Sequence, residues 1–305
     1  MTTTKKQHYV PQFLLRKFGT GKKNRERIWV LDKLTGKVFQ ASVKDIGHEN
    51  NFYEHNYLQQ NTIENQLEKT ECYAANLISR ISKHGKLFRD KSEIFGLSYF
   101  FAAQMLRSPV VRAEMGNIRQ IFVDKFGAET KVHPDDHKTL GEYGVDDDRF
   151  SSLRSLRSVP ELAKILQDKV WYLYKAPSSS AYIISDNPVV RHNMIERQGR
   201  GNLGLRNQGI EIYMPISPEY TIQALCPVLS ELVICTPQLS DEYQNALISG
   251  SPIVRLPENV EFSNSLQVRF AERFIYARSK EHLIMPIDML KTNPELKKGP
   301  RMEVH

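Results

Sequence analysis

Ser158-Val159-Pro160-Glu161-Leu162-Ala163-Lys164-Ile165-Leu166-Gln167-Asp168-Lys169-Val170-Trp171-Tyr172-Leu173-Tyr174-Lys175 holds the point at which the chain changes period. Its first half opens with a Ser-x-x-Glu capping box and predicts a helix to about Asp168, because such a pair can satisfy the first free N–H groups. Its second half is aromatic and β-branched, the composition of a strand. Upstream, apolar residues at 63, 67, 74, 77, 78 and 81 share one helical face, and Asn61 with Glu64 reads as a second capping box. A very apolar helix is expected from Ser92 to Arg107, a break at Pro109, and a third helix from Val110 to Phe126. Gly127 to Ser152, polar and carrying Asp146-Asp147-Asp148, reads as a surface loop. Downstream, Ala181–Ser185, Ile210–Met214, Tyr220–Leu225 and Leu232–Thr236 are β-prone, with a Gly, Asn and Arg-rich loop over 191–209. Helices over 240–248 and 260–273 and a strand at Phe274–Ala277 close the chain. Helices and strands are segregated rather than alternating, so the class is α+β with a mostly antiparallel sheet.

At the other end, Pro11 opens a short helix with Phe13, Leu14 and Phe18 on its apolar face and Gly19 as its stop. Arg27–Asp32 and Lys37–Val43 flank Lys33-Leu34-Thr35-Gly36 as a hairpin. The chain thus divides into a basic N-terminal helix-hairpin unit (1–53), a helical part (54–169) and a β-rich part (170–305), all within a single domain.

Of 305 residues, 42 are Lys or Arg and 35 Asp or Glu, a net charge of +7. The excess is concentrated: residues 1–44 hold eleven basic residues and two acids, and the remaining 261 sum to −2. A basic end on a near-neutral body predicts an anionic partner, nucleic acid before others. Cys72, Cys226 and Cys235 are odd in number and lack metal-ligand spacing, which suits reduced thiols in a cytoplasmic protein. Cys226 and Cys235 lie in apolar runs, where cysteine behaves as a small hydrophobe. The longest charge-free stretch, Ile94–Leu106, is 13 residues, short of a membrane span.

Several constellations could carry chemistry. His8 stands just before the first helix with a side chain suited to proton transfer, Tyr9 follows it, and Arg16 offers a planar fork for phosphate. Their structural alternative is bracing that helix. Gln104 and Arg107, three residues apart on the apolar helix, need partners if buried, and Glu64 is a candidate. Ser185-Asp186-Asn187-Pro188 ends a strand, where an acid and an amide could orient a histidine or hold a metal ion; the same residues are favourable turn chemistry. His133 and His137, with Asp135 and Asp136 between them, have the spacing of a helical metal pair without a third ligand. No Walker loop, dinucleotide fingerprint, nucleophile elbow or Cys pair occurs.

Lys6-Gln7-His8-Tyr9-Val10-Pro11-Gln12-Phe13-Leu14-Leu15-Arg16-Lys17-Phe18, followed by Trp29-Val30-Leu31-Asp32-Lys33, resembles the opening of the bacterial family catalogued as domain of unknown function 4238. The likeness continues in order through Asn51-Phe52-Tyr53, Ile63-Glu64, Gln104 to Pro109, Ser185 to Pro188, Pro215 to Pro218 and Asn264 to Gln267, nearly the whole chain. The resemblance implies a prokaryotic cytosolic protein and a gathering of His8, Arg16, Glu64, Gln104, Arg107, Asp186 and Asn187. It carries no assigned activity.

The leading expectation is a nucleic-acid-acting protein, a phosphodiesterase or nuclease of host-defence or toxin type. His8 would be the general acid or base, with Arg107 and Arg16 binding phosphate. Tyr9, Gln104 and Asn187 would contribute further ligand contacts. Asp186 or Glu64 would orient His8 or hold a divalent metal such as Mg²⁺. The alternatives are a non-catalytic module binding nucleic acid or protein, and an enzyme of a small phosphorylated ligand.

Overall fold

The computed structural model describes residues 6–58, 62–88, 90–133, 136–195 and 202–302. In chain order the elements are β1 (Lys6–His8), α1 (Gln12–Phe18), β2 (Arg27–Asp32), β3 (Val38–Ser42) and β4 (His48–Asn50). Five helices follow: α2 (Thr62–His84), α3 (Lys91–Leu106), α4 (Pro109–Phe126), α5 (Val145–Ser155) and α6 (Val159–Gln167). The last part holds β5 (Val170–Lys175), β6 (Ile184–Ser185), β7 (Val190–Asn193), β8 (Ile210–Pro215), β9 (Tyr220–Leu225), α7 (Pro227–Ile234), α8 (Ser240–Ser249), β10 (Ile253–Val254), α9 (Pro257–Phe270), β11 (Phe274–Ala277) and α10 (Ile284–Thr292). The class is α+β.

The period change at 168–170 marks where the helical layer meets the sheet. β5 lies between β10 and β9 in a five-stranded sheet of order β10-β5-β9-β8-β7, antiparallel except for the β10–β5 pair. α3 is buried on nearly every side, because Leu97, Phe100, Phe101, Ala102 and Ala103 leave it no polar face to give to solvent. Phe101 meets the edge of the Trp171 ring at 4.9 Å, which joins the helical core to β5. α2 lays Leu67, Ala74, Leu77, Ile78 and Ile81 toward the same core.

The basic hairpin is not left alone at the N-terminus. β2 and β3 form one side of a four-stranded antiparallel sheet of order β3-β2-β11-β6, with Phe274 opposite Asp32 and Ala277 opposite Trp29. A fourteen-residue helix, α9, precedes β11, and Lys33 caps it from the hairpin. The Lys33 ammonium is fully buried and donates to the carbonyls of Val268 (2.8 Å) and Ala271 (2.6 Å). Burial pulls it down to about 8, against the attraction of Asp186 and Glu272. One of the eleven basic residues of the N-terminal segment is therefore committed to the fold.

A third, two-stranded sheet pairs β1 with β4 and sets His8 opposite His48. Gly47 makes this possible. Its φ of +66° turns the chain so that its carbonyl accepts from both Tyr9 (2.9 Å) and Val10 (3.2 Å), and a Cβ there would stand 2.8 Å from Leu15 Cδ1.

Several expectations are corrected. Residues 232–236 are not a strand: α7 begins at Pro227, whose fixed φ suits a first helical position, and it buries Leu229 and Ser230 side by side rather than alternating. The acidic stretch 127–152 is not all loop, because Asp146, Asp147 and Asp148 form the first turn of α5, where carboxylates meet unpaired N–H groups. Asp147 accepts from the Gly144 N–H, and Asp148 receives a bidentate pair from Arg119 at 2.9 and 3.0 Å. The loop expected over 191–209 contains β7, and of 181–185 only Ile184 and Ser185 are strand. α6 begins where expected, but Ser158 makes no side-chain capping bond. Asn61, the other proposed cap, lies outside the described residues. The three cysteines are unpaired; Cys226 is buried and Cys235 exposed, so only the former acts as a small hydrophobe. Among the described residues no helix is long and apolar enough to cross a membrane.

Candidate functional site

The polar cluster is built where β1 enters α1 and passes the C-terminal end of α3. Helix α3 stops at Leu106, and Arg107 follows as its cap, placing a guanidinium where the last carbonyls of the helix are uncovered. Its side chain is buried. Nε donates to the Tyr9 carbonyl (3.1 Å) and to Gln104 Oε1 (2.9 Å), and Nη1 donates to Glu71 (2.6 Å). Gln104, one turn earlier, donates to the same Tyr9 carbonyl at 2.7 Å. The remaining nitrogen, Nη2, is buried without a hydrogen-bond partner among the described residues.

Across from Arg107, α2 carries Glu64 and Glu71 two turns apart on one face. Glu64 Oε2 is likewise buried and unpartnered. Burial, reinforced by the Glu71 charge and opposed by Arg107, pushes the Glu64 carboxyl up to about 7. His8 is pulled down to about 4 by burial and by the surrounding cations His48, Arg107, Lys6 and Arg16, so it is neutral at physiological pH. A relay fixes its tautomer. Arg16 donates to Gln12 Oε1 (3.0 Å), which turns the Gln12 amide nitrogen toward His8 Nε2 (3.3 Å). Nε2 must then accept, and the ring proton sits on Nδ1. The His48 ring stands edge-on at 5.0 Å, and the Tyr53 hydroxyl donates to the His8 carbonyl at 2.9 Å.

His8, Arg16, Glu64, Gln104 and Arg107 thus gather at one place. Tyr9 takes part through its carbonyl only; its ring is buried against Phe52 (5.3 Å) and its hydroxyl, pushed up by burial, faces the field of Asp186. Asp186 and Asn187 do not join the cluster. Asp186 is buried, and its two oxygens accept from the backbone N–H groups of Glu272 (2.8 Å), Arg273 (2.7 Å) and Phe274 (2.8 Å). Burial pushes this carboxyl up to about 6 against the pull of those three donors. Asn187 donates to the Phe270 carbonyl at 3.0 Å. Both residues pin the turn between α9 and β11, and neither orients His8. Among the described residues no group of three His, Cys, Asp or Glu converges to hold a metal ion, and the Asp186 carboxylate, its oxygens taken by three backbone N–H groups, is not free to join Glu64 around Mg²⁺. His133 and His137 lie in no helix, which removes the face that their spacing would share; Asp135 lies outside the described residues.

The family described as "Protein of unknown function (DUF4238)" matches residues 6–281. The chain belongs to this family. No curated protein and no solved structure matches it. The DUF4238 match begins at β1 and runs past β11, and so spans every element that builds the polar cluster.

Reading the sequence missed Gln12, Glu71, His48 and Tyr53. Gln12 stands four residues after His8 and four before Arg16, and Glu71 seven after Glu64, spacings that mark shared faces once the helices are granted. His48 and Tyr53 arrive by the β1–β4 register, which has no local signal. Also missed is a network on the five-stranded sheet. Glu211 accepts from Tyr213 (2.9 Å) and Gln223 (3.0 Å) and pairs with His192 (2.7 Å), while Arg255 donates to Tyr243 (3.0 Å). Its groups satisfy one another, as a buried polar layer requires.

Proposed function

We propose that this chain acts on nucleic acid as a phosphodiesterase, with the His8, Glu64 and Arg107 cluster as its reacting centre. The observation that carries the reading is a buried arginine nitrogen and a buried carboxyl oxygen, both unpartnered among the described residues, beside a neutral histidine. Arg107 Nη2 is a charged donor suited to the non-bridging oxygens of a phosphodiester and to the charge that grows on them during displacement. His8, whose Nε2 lone pair rests on the Gln12 amide and is released to substrate as that amide turns away, takes the proton from the attacking hydroxyl or water. Glu64, near its midpoint at neutral pH, returns one to the leaving oxygen as the P–O bond breaks. Arg16 holds Gln12, and through it the His8 tautomer. The exposed cations Lys22, Lys23 and Arg25 before β2 supply an anion-attracting surface on the same N-terminal segment. A bacterial cytoplasmic setting, with a role in host defence or as a toxin, accompanies this reading; the three free thiols are compatible with it.

The test is incubation of purified protein with single-stranded RNA and DNA, beside His8→Ala and Glu64→Gln. Cleavage by the parent, reduced about 10²- to 10⁴-fold in His8→Ala with unchanged folding, is the expected result. Intact RNA and DNA overturn it.

A second reading, a non-catalytic binding module, draws on the fact that Gln104 and Arg107 both grip the Tyr9 carbonyl and so brace the backbone. It expects salt-sensitive binding without cleavage, and loss of folding in His8→Ala.

A further inference from the structure

A cleft of about 1140 Å³ lies beside the polar cluster but contains none of His8, Glu64 or Arg107. It has three walls. α2 contributes Ile63 and Leu67, α3 contributes Tyr99 and Ala103, and the end of α5 with the segment joining it to α6 contributes Leu153 and Leu156. The cleft is therefore lined mainly by aliphatic and aromatic carbon, a surface that carries a cost when left to water. From Ile63 to Tyr73 the α2 wall runs about 15 Å, and the volume is that of a small-molecule site.

The rim is the deciding feature. Lys69, Lys91, Arg154 and Arg157 stand on it, all exposed, from all three walls. No acidic residue is among the described lining residues, and none of the four cations makes an ion pair with a described carboxylate. Asp90, next in sequence to Lys91, is not a lining residue and caps α3, accepting from the Glu93 N–H at 2.9 Å. An apolar trough fringed only by positive charge complements one kind of guest: an apolar chain ending in an anion.

We infer that this cleft binds a monomeric amphiphile with a single acyl chain and an anionic head, the chain lying along α2 and α3 and the head held by the rim cations. A nucleic acid fits less well, since among the apolar lining residues the aliphatic side chains outnumber the rings of Tyr73, Phe95 and Tyr99 on which bases could stack. The inference stands apart from the phosphodiesterase reading and survives its failure.

The full chain is titrated calorimetrically with octanoate, decanoate and dodecanoate below their micellar concentrations, and with dodecyltrimethylammonium as the cationic counterpart. Each buried methylene is worth about fourfold in affinity, so dodecanoate is expected to bind at least tenfold tighter than octanoate. The ammonium is expected to bind at least tenfold more weakly than dodecanoate. The double variant Arg154→Glu/Arg157→Glu changes two exposed residues and is expected to fold while losing at least tenfold of the dodecanoate affinity. Equal binding of the two head-group charges, no dependence on chain length, or an unaffected double variant overturns the inference. So does association with anionic vesicles without monomer binding. A dimer in light scattering that the double variant disperses would assign the cleft to a second copy instead.

Discussion

Asp186→Asn separates a structural from a catalytic role for the most conspicuous acid of the Ser185-Asp186-Asn187-Pro188 block. The carboxylate accepts three backbone N–H groups, one on Oδ1 from Glu272 and two on Oδ2 from Arg273 and Phe274. An asparagine of the same shape has one acceptor oxygen, so whichever way its amide turns, one or two buried N–H groups face an NH₂. Each such group costs about 1–3 kcal/mol, giving a loss of about 1–6 kcal/mol. Urea unfolding at pH 8, where the aspartate is ionised, measures it directly, with Trp29 as a reporter because it pairs with Ala277 on β11. Hydrogen exchange should localise the weakening to the amides of residues 272–274. A variant within 1 kcal/mol of the parent that loses all activity on nucleic acid would refute the reasoning and return Asp186 to the reacting centre.

Glu64, raised to about 7 in the folded chain and ordinary when unfolded, binds its proton more tightly in the native state. Its contribution to stability is therefore full below about pH 4.5 and lost as pH rises through 7, and Glu64→Gln should flatten that part of a stability–pH profile. If His8 is the base and Glu64 the acid, cleavage should follow a bell between about pH 4 and 7, and Glu64→Gln should remove its alkaline limb. Gln104→Leu, which strips one donor from the Tyr9 carbonyl and the acceptor of Arg107 Nε, should cost about 1–3 kcal/mol by urea titration. Gly47→Ala forces a side chain into left-handed backbone against Leu15, and should cost about 1–3 kcal/mol. Its accompanying signature is a shifted His8 resonance by NMR.

The polar pairs that sequence spacing could reach were those within one helix. Gln104 and Arg107 share a face because three residues of helix bring them around together, and Arg16 reaches Gln12 for the same reason. The pairing of Arg107 with Glu71, or of His8 with His48, crosses between elements, and its geometry depends on how helices dock and which strand register wins. The Ser-Asp-Asn-Pro block shows the converse. Its local chemistry was that of a turn, and the structure uses it as one, with the carboxylate reaching residues 86 to 88 positions away.

From the sequence alone came the class and the positions of the longer elements, α1 to α4, α6, α8, α9 and the strands β2, β3, β5, β8, β9 and β11, because hydrophobic period, capping residues and prolines act over a few residues and are written locally. The same holds for the concentration of basic charge at the N-terminus. Tertiary structure decided where part of that charge goes. Lys33 disappears into the end of α9, Lys6 pairs with Asp45 at 2.8 Å, and Arg16 supports a histidine. It also decided that the hairpin of residues 27–42 completes its sheet with residues 274–277. A strand's edge seeks any complementary edge, and the choice among edges rests on the packing of the whole chain rather than on the strand's own residues.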